Sequence, residues 1–147
     1  MPAITVRPAT ESDIPALTIL MNELGYLTST EEMKARYDNI LRQTDYKTVV
    51  AVREGEVLGM AGFLKIHYWE CNGHFIRVQA LVVRSTTRRL GVGRLLLQSV
   101  EEWGVETGAV LISLNCGNKE SRKDAHRFYP KVGFEHTSSG YTKWLQD

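Results

Sequence analysis

From Ala80 onward the chain passes from an unbroken apolar run, Ala80-Leu81-Val82-Val83, through Arg88-Arg89-Leu90-Gly91-Val92-Gly93-Arg94, into a stretch whose apolar residues keep helical spacing. Four consecutive apolar residues suit a strand covered on both faces. Val92, Leu95, Leu96, Val100 and Trp103 then share one helix face, and Gly108 is placed to end that helix. The first N–H groups of such a helix lack internal partners, and the aligned peptide dipoles add partial positive charge there. The turn therefore attracts an anion. Glycine at 91 and 93 removes the Cβ that would hold a bulky diphosphate off the backbone, and Arg88, Arg89 and Arg94 add charge and forked donors. A nucleotide-type diphosphate fits these properties, and so does a surface turn with a basic helix start. Two other phosphate motifs fit less well: no Lys-Ser/Thr pair follows the glycines, and Leu96 stands where the dinucleotide fingerprint has its third glycine.

The surroundings sharpen the contrast. The whole chain carries a formal charge of only +1, which gives no bulk attraction to nucleic acid or anionic membrane. Yet between Glu70 and Glu101 there is no acidic residue, while Arg77, Arg84, Arg88, Arg89 and Arg94 fall there. A single basic turn in a neutral chain is thin support for a nucleic-acid partner, and no apolar run approaches the roughly 20 residues of a membrane helix. At 147 residues the chain is expected to be a single domain. Cys71 and Cys116 lack metal-ligand spacing and no signal peptide precedes Ile4, so a reduced, cytoplasmic protein is expected.

The remaining elements follow from period and punctuation. Ala3 to Arg7 alternates as a short strand that Pro8 stops; Ile14, Leu17, Leu20, Met21 and Leu24 keep helical spacing, with Ser12 as N-cap and Gly25 after the last turn. Ser29 and Glu32 form a capping-box pattern ahead of Met33, Tyr37, Ile40 and Leu41. Strands are expected over Tyr46 to Arg53, Val57 to about Tyr68, and Phe75 to Val83, with Asn72-Gly73 as a two-residue hairpin turn. Val110 to Leu114 reads as a buried strand, Ser121 to Tyr129 as a helix, and Phe134 and Tyr141 to Leu145 as two closing strands. The order implies an α/β chain with a mixed sheet and helices on both faces.

The RxxGxG pattern after an apolar strand resembles the signature of the GNAT family of N-acetyltransferases. The likeness extends to Val6-Arg7-Pro8-Ala9-Thr10 with Asp13, to Leu24-Gly25-Tyr26, and to Ala125-His126-Arg127-Phe128-Tyr129-Pro130-Lys131-Val132-Gly133-Phe134, in the family's order and over almost the whole chain. It implies an acyl-CoA N-acyltransferase fold of six or seven strands and about four helices. It also implies that the backbone at Leu81, Val82 and Val83 pairs with the pantetheine arm of acetyl-CoA, while Arg88, Arg89, Gly91, Val92, Gly93 and Arg94 hold the diphosphate.

Acyl transfer to an amine needs a neutral nucleophile, stabilisation of the developing oxyanion, and a proton for the departing thiolate. By family position Tyr129 is the acid; a phenol of ordinary pKa near 10 stays protonated at neutral pH. Pro130 disfavours helical geometry just before it. The family often carries a Glu on the strand before the cofactor turn, and Gln79 stands there instead; an amide takes no proton at pH 7. A water chain, His126 or an already neutral substrate amine must serve. Lys119, Arg122 and Lys123 are candidates for a CoA phosphate or a solvated helix face. Tyr26, Trp69 and Gln79 are the substrate-side candidates. His67, Tyr68, Trp69, Cys71 and His74 cluster at one hairpin without a clear ligand set, so no metal is expected, and the aromatics leave a homodimer contact open. The resemblance thus implies acetyl transfer from acetyl-CoA to a primary amine of a small molecule or peptide by direct attack, since neither cysteine has a His partner. The alternative is an acyl-CoA-binding sensor or interaction module of the same fold.

Overall fold

The computed structural model describes residues 2–116 and 123–146, and the chain divides into two compact units, Met1–Leu114 and Asn115–Asp147. In the first unit five strands form one sheet in the order β1 (Thr5–Pro8), β2 (Tyr46–Arg53), β3 (Glu56–His67), β4 (His74–Val83), β5 (Ile112–Leu114). The first four pair antiparallel and β5 pairs parallel to β4, which makes the sheet mixed. The helices are α1 (Ile14–Leu24), α2 (Thr30–Leu41) and α3 (Val92–Thr107), with α4 (Lys123–Lys131) in the second unit.

Strand alternation assigns the two faces of the sheet. Val50, Met60 and Val82 are cross-strand neighbours, and they join Ile14, Leu17 and Leu20 of α1 and Met33 and Tyr37 of α2 in one buried cluster. The next row, Ala51, Gly59 and Val83, points the other way, toward α3. There a Cβ built on Gly59 would lie 2.7 Å from the Val82 carbonyl oxygen and 3.0 Å from Val92 of α3. Glycine at 59 thus lets the first turn of α3 lie close against the sheet. Farther along α3, Trp103 meets Phe63 edge to face at 5.4 Å, and Lys47 and Lys65 lie over the Trp103 ring.

One extra residue in β4 changes its face. Gly62 pairs with Ala80 and Phe63 with Val78, so Gln79 is inserted as a bulge. Ile76 and Val78 lie on the α3 side before it, and Ala80 and Val82 lie on the α1–α2 side after it. Without the bulge Val82 would leave the cluster it completes.

Several expectations need correction. Ser12 does not cap α1: a short 3-10 turn, Glu11–Asp13, precedes the helix, and the Asp13 carboxylate accepts from the Thr10 N–H at 2.8 Å. The same carboxylate takes two bonds from the Arg7 guanidinium at 2.8 and 2.9 Å, tying β1 to the start of α1. A carboxylate can serve both donors; the Ser12 hydroxyl instead pairs with Thr10 at 2.7 Å. Asn72-Gly73 is not a two-residue turn, because the β3–β4 ladder ends at His67 and His74 and leaves a longer connection. The tight hairpin is Glu54-Gly55, with φ of 50° and 79°, between Arg53 and Glu56. Val110 and Leu111 are exposed and precede the three-residue β5.

Five strands form where six or seven were expected. Among the described residues Phe134 and 141–145 form no strand, and Tyr141, Trp144 and Leu145 are exposed, without the buried face that holds a strand in register. The caps at Ser29–Glu32 and the left-handed Gly25 and Gly108 stand as expected. Of the helix read over Ser121 to Tyr129, residues 121 and 122 lie outside the described residues, and α4 continues through Pro130 to Lys131.

Two outcomes follow. Gly59→Ala must displace β4 backbone or the first turn of α3, and is expected to cost about 1–3 kcal/mol in urea unfolding. Asp13 is held below the usual carboxylate range, first by the Arg7 hydrogen bond and also by the Thr10 N–H. A depressed folded pKa gives stability that is present above the unfolded value near 3.9 and lost as pH falls through the folded value. Because the Arg7 side chain is 43% exposed, the effect is screened. Asp13→Asn should therefore cost about 1 kcal/mol at pH 7, and the difference from the parent should shrink steadily below about pH 4.

Candidate active site

The segment from β4 to α3 is a tight turn that leads into a helix start. Arg84 donates its N–H to the Leu58 carbonyl at 2.8 Å, and a 3-10 turn over Ser85–Thr87 follows. Buried Thr87 closes that turn on the Arg84 carbonyl through its N–H at 3.0 Å and its hydroxyl at 3.1 Å. Arg89 and Gly91 are both left-handed, with φ of 71° and 80°. Gly91 is the N-cap of α3, and having no side chain it makes no side-chain cap bond. The first helical bond runs from the Leu95 N–H to the Gly91 carbonyl at 3.1 Å. The N–H groups of Val92, Gly93 and Arg94 therefore have no acceptor within the helix. A Cβ on Gly91 would meet nothing within 4 Å among the described residues, so they leave the space beside Gly91 open.

The basic island is smaller in space than in sequence. Arg84 pairs with Glu56 at 3.0 Å, and Arg77 lies over the Phe75 ring at the other end of β4. Arg88, Arg89 and Arg94 are exposed, and none makes an ion pair among the described residues. Three cations thus remain at the turn.

Below the turn, β5 pairs only with Ile76, Arg77 and Val78. Among the described residues, β4 runs on through Gln79, Leu81, Val82 and Val83 without a β5 partner. The bulge residue Gln79 sits where that pairing stops.

On the α1–α2 side of the bulge lies a cavity of about 140 Å³. Leu17 and Met21 of α1 and Met33, Arg36, Tyr37 and Ile40 of α2 form its helical wall. Tyr46, Thr48, Met60, Gly62, Gln79 and Ala80 form its sheet wall. The small residues at 62 and 80 leave the space, and exposed Gln79 lies at its edge. Tyr37 donates to the Ala9 carbonyl at 3.3 Å, and burial followed by the charge of Asp13 pushes its phenol upward. It stays protonated at neutral pH and cannot take a proton. Arg36 is the one formal charge on the lining.

Of the substrate-side candidates, only Gln79 lines this cavity. Trp69 stands almost fully exposed on the β3–β4 connection, and Tyr26 is exposed after α1. Arg36, Tyr46 and Thr48 were not singled out in the sequence. The available signal was a charge on an apolar face, since Arg36 falls three residues after Met33 and four before Ile40. His67 and His74 pack ring to ring at 5.8 Å, and His74 Nε2 lies 3.1 Å from the Thr107 hydroxyl. Among the described residues no group of three His, Cys, Asp or Glu side chains is placed to hold a metal, and no helix is long and apolar enough to cross a membrane.

In the second unit, Tyr129 lies in the last turn of α4. The Phe134 N–H donates to the Tyr129 carbonyl at 3.1 Å, and the left-handed Gly133 donates to Pro130 at 3.2 Å. This double closure is a Schellman end, and the Tyr129 and Phe134 rings meet edge to face at 5.8 Å across it. Helical geometry at 129 is thus retained despite Pro130. Lys119 and Arg122 lie outside the described residues, while Lys123 opens α4.

The family model described as the acetyltransferase (GNAT) family matches residues 15–134. The chain belongs to that family. An aminoalkylphosphonate N-acetyltransferase of Salmonella typhimurium is 32% identical over 151 residues, covering 99% of this chain and 94% of the relative. A solved GNAT family acetyltransferase of Staphylococcus aureus shares 30% identity with a TM-score of 0.83, over 99% of this chain and 100% of the other. An aminoglycoside N-acetyltransferase solved in complex with CoA has a TM-score of 0.84 at 16% identity, over 100% of this chain and 97% of that one, a likeness of fold. This GNAT chain is an N-acetyltransferase with the family's mixed α/β architecture.

The left-handed Gly91 gives a test independent of any ligand. Gly91→Val should cost about 1–2 kcal/mol in urea unfolding, and Gly91→Asn clearly less, because asparagine visits this conformation more readily.

Proposed function

We propose that this GNAT chain transfers the acetyl group of acetyl-CoA to the primary amine of a small molecule by direct attack. The observation that carries the reading is the start of α3: three N–H groups without an acceptor in the helix, open space beside Gly91, and Arg88, Arg89 and Arg94 without an ion pair, all among the described residues. Such a turn suits a diphosphate, with Arg88, Arg89, Gly91, Val92, Gly93 and Arg94 as its holders. Leu81, Val82 and Val83, running past the last β4–β5 pair, offer backbone groups to the extended arm of the donor.

In the reaction the amine nitrogen bonds to the thioester carbonyl carbon, the C–S bond breaks, the nitrogen loses a proton and the thiolate gains one. Tyr129 is the proposed donor of that last proton, on family position and on a phenol that is protonated at neutral pH. Gln79 can orient an amine or a water through its amide and cannot act as the base. The acceptor then arrives neutral or loses its proton to water or His126. A cavity of about 140 Å³ supports a small acceptor, since a cavity of about 150 Å³ accommodates a molecule the size of benzene. Aminoalkylphosphonates, named for the Salmonella relative, are the first acceptors to try.

Calorimetric titration separates transfer from mere binding. Acetyl-CoA should bind the parent and Tyr129→Phe alike, and binding should fall at least about tenfold when Gly91 and Gly93 are both enlarged. Turnover by Tyr129→Phe should fall about 10²–10⁴-fold. A chain that binds acetyl-CoA but only hydrolyses it slowly, with no acceptor acetylated, would be a sensor; no binding at all would end the donor assignment.

A further inference from the structure

The cavity beside Gln79 has an apolar wall, and at its rim stands one exposed cationic residue, Arg36. Arg36 stands on α2 between Met33 and Ile40, which also line the space. Its Nη1 donates to the Thr28 hydroxyl at 2.9 Å, and that hydroxyl donates to the Tyr26 carbonyl at 2.9 Å. Thr28 is itself fixed, because its N–H donates to the Asn22 side chain at 2.9 Å and its carbonyl accepts from the same amide at 3.0 Å. The guanidinium is therefore aimed by neutral groups, with most of its five donors left over.

No carboxylate neutralises it among the described residues. Glu32, one turn earlier, turns its Oε1 to the Ser29 N–H at 3.0 Å in the cap of α2, and that bond is the first cause of its lowered pKa, with the Arg36 charge a minor one. An arginine oriented by a hydroxyl beside an apolar cavity suits a planar or tetrahedral anion through two parallel N–H bonds.

We propose that Arg36 is a specificity-determining residue that binds an anionic group, a phosphonate or a carboxylate, on the far end of a short aminoalkyl acceptor. The methylenes lie against the apolar wall, and the amine extends toward Gln79. This rests on the acetyl-transfer reading, since it gives the cavity to the acceptor.

The test compares three acceptors with the same number of carbons or one fewer: 2-aminoethylphosphonate, 3-aminopropionate and n-propylamine. Each is assayed with acetyl-CoA on the full chain. The parent should prefer the two anionic amines to propylamine, and the phosphonate arm against the carboxylate arm tells which anion fits better. Arg36→Gln should lower the ratio of kcat/KM for the preferred anionic amine over propylamine about 10- to 100-fold, mainly through KM. Arg36→Lys should recover part of that loss, and Thr28→Val should lose less than Arg36→Gln. Acetyl-CoA affinity, measured in parallel, should match the parent and reports that each variant is folded. A parent that prefers propylamine, or an Arg36→Gln ratio equal to the parent's, overturns the assignment while leaving acetyl transfer intact. Failure of the parent to bind acetyl-CoA or acetylate any amine would instead remove the reading on which it rests.

Discussion

The close approach of α3 to the sheet at Gly59 governs what the turn before that helix can do. With no side chain at 59, Val92 and Leu96 reach the backbone of β3 and β4, and both are buried there. The first turn of α3 is thereby held by its apolar side, with open space beside Gly91 among the described residues. A helix end offers anion-binding N–H groups only while it keeps its place, and here the place is set by van der Waals contact rather than by a cap. Arg89 and Gly91, both left-handed, then bring the chain round from the strand without capping those groups.

The bulge at Gln79 makes the second division of labour. Before it, β4 lends its buried side chains to α3; after it, Ala80 and Val82 turn to α1 and α2. The single inserted residue sits where β5 ceases to pair and where the cavity begins. One irregularity of hydrogen bonding thus ends a ladder, leaves a strand edge without a partner among the described residues and sits at the edge of a small apolar space.

Much of this was legible where the cause is local. The glycines at 25 and 108 mark left-handed ends, and Ser29 with Glu32 marks a cap, because those conformations depend on a few neighbouring atoms. The two-residue turn at Asn72-Gly73 was misread for a tertiary reason: the His67–His74 and Tyr68–Phe75 ring pairs stand at the end of the hairpin, and its ladder stops short of the turn dipeptide. Glu54-Gly55 takes the tight turn although a left-handed glutamate is strained. Ser12 lost the cap to Thr10 and Asp13 because Arg7, from the neighbouring strand, adds its bonds to the same carboxylate. Arg36 was hidden for a similar reason, since its meaning depends on a bulge in a strand more than forty residues away. The passage from strand to helix around Arg88 to Arg94 was the most readable feature, being contiguous in sequence.

Arg36 stands on a helix, and every hydrogen bond of the β ladders is made without it. A substitution there changes the chemistry of the cavity wall and leaves the sheet, the bulge and the start of α3 as they are. The wall of the cavity can therefore change while the frame that carries it does not.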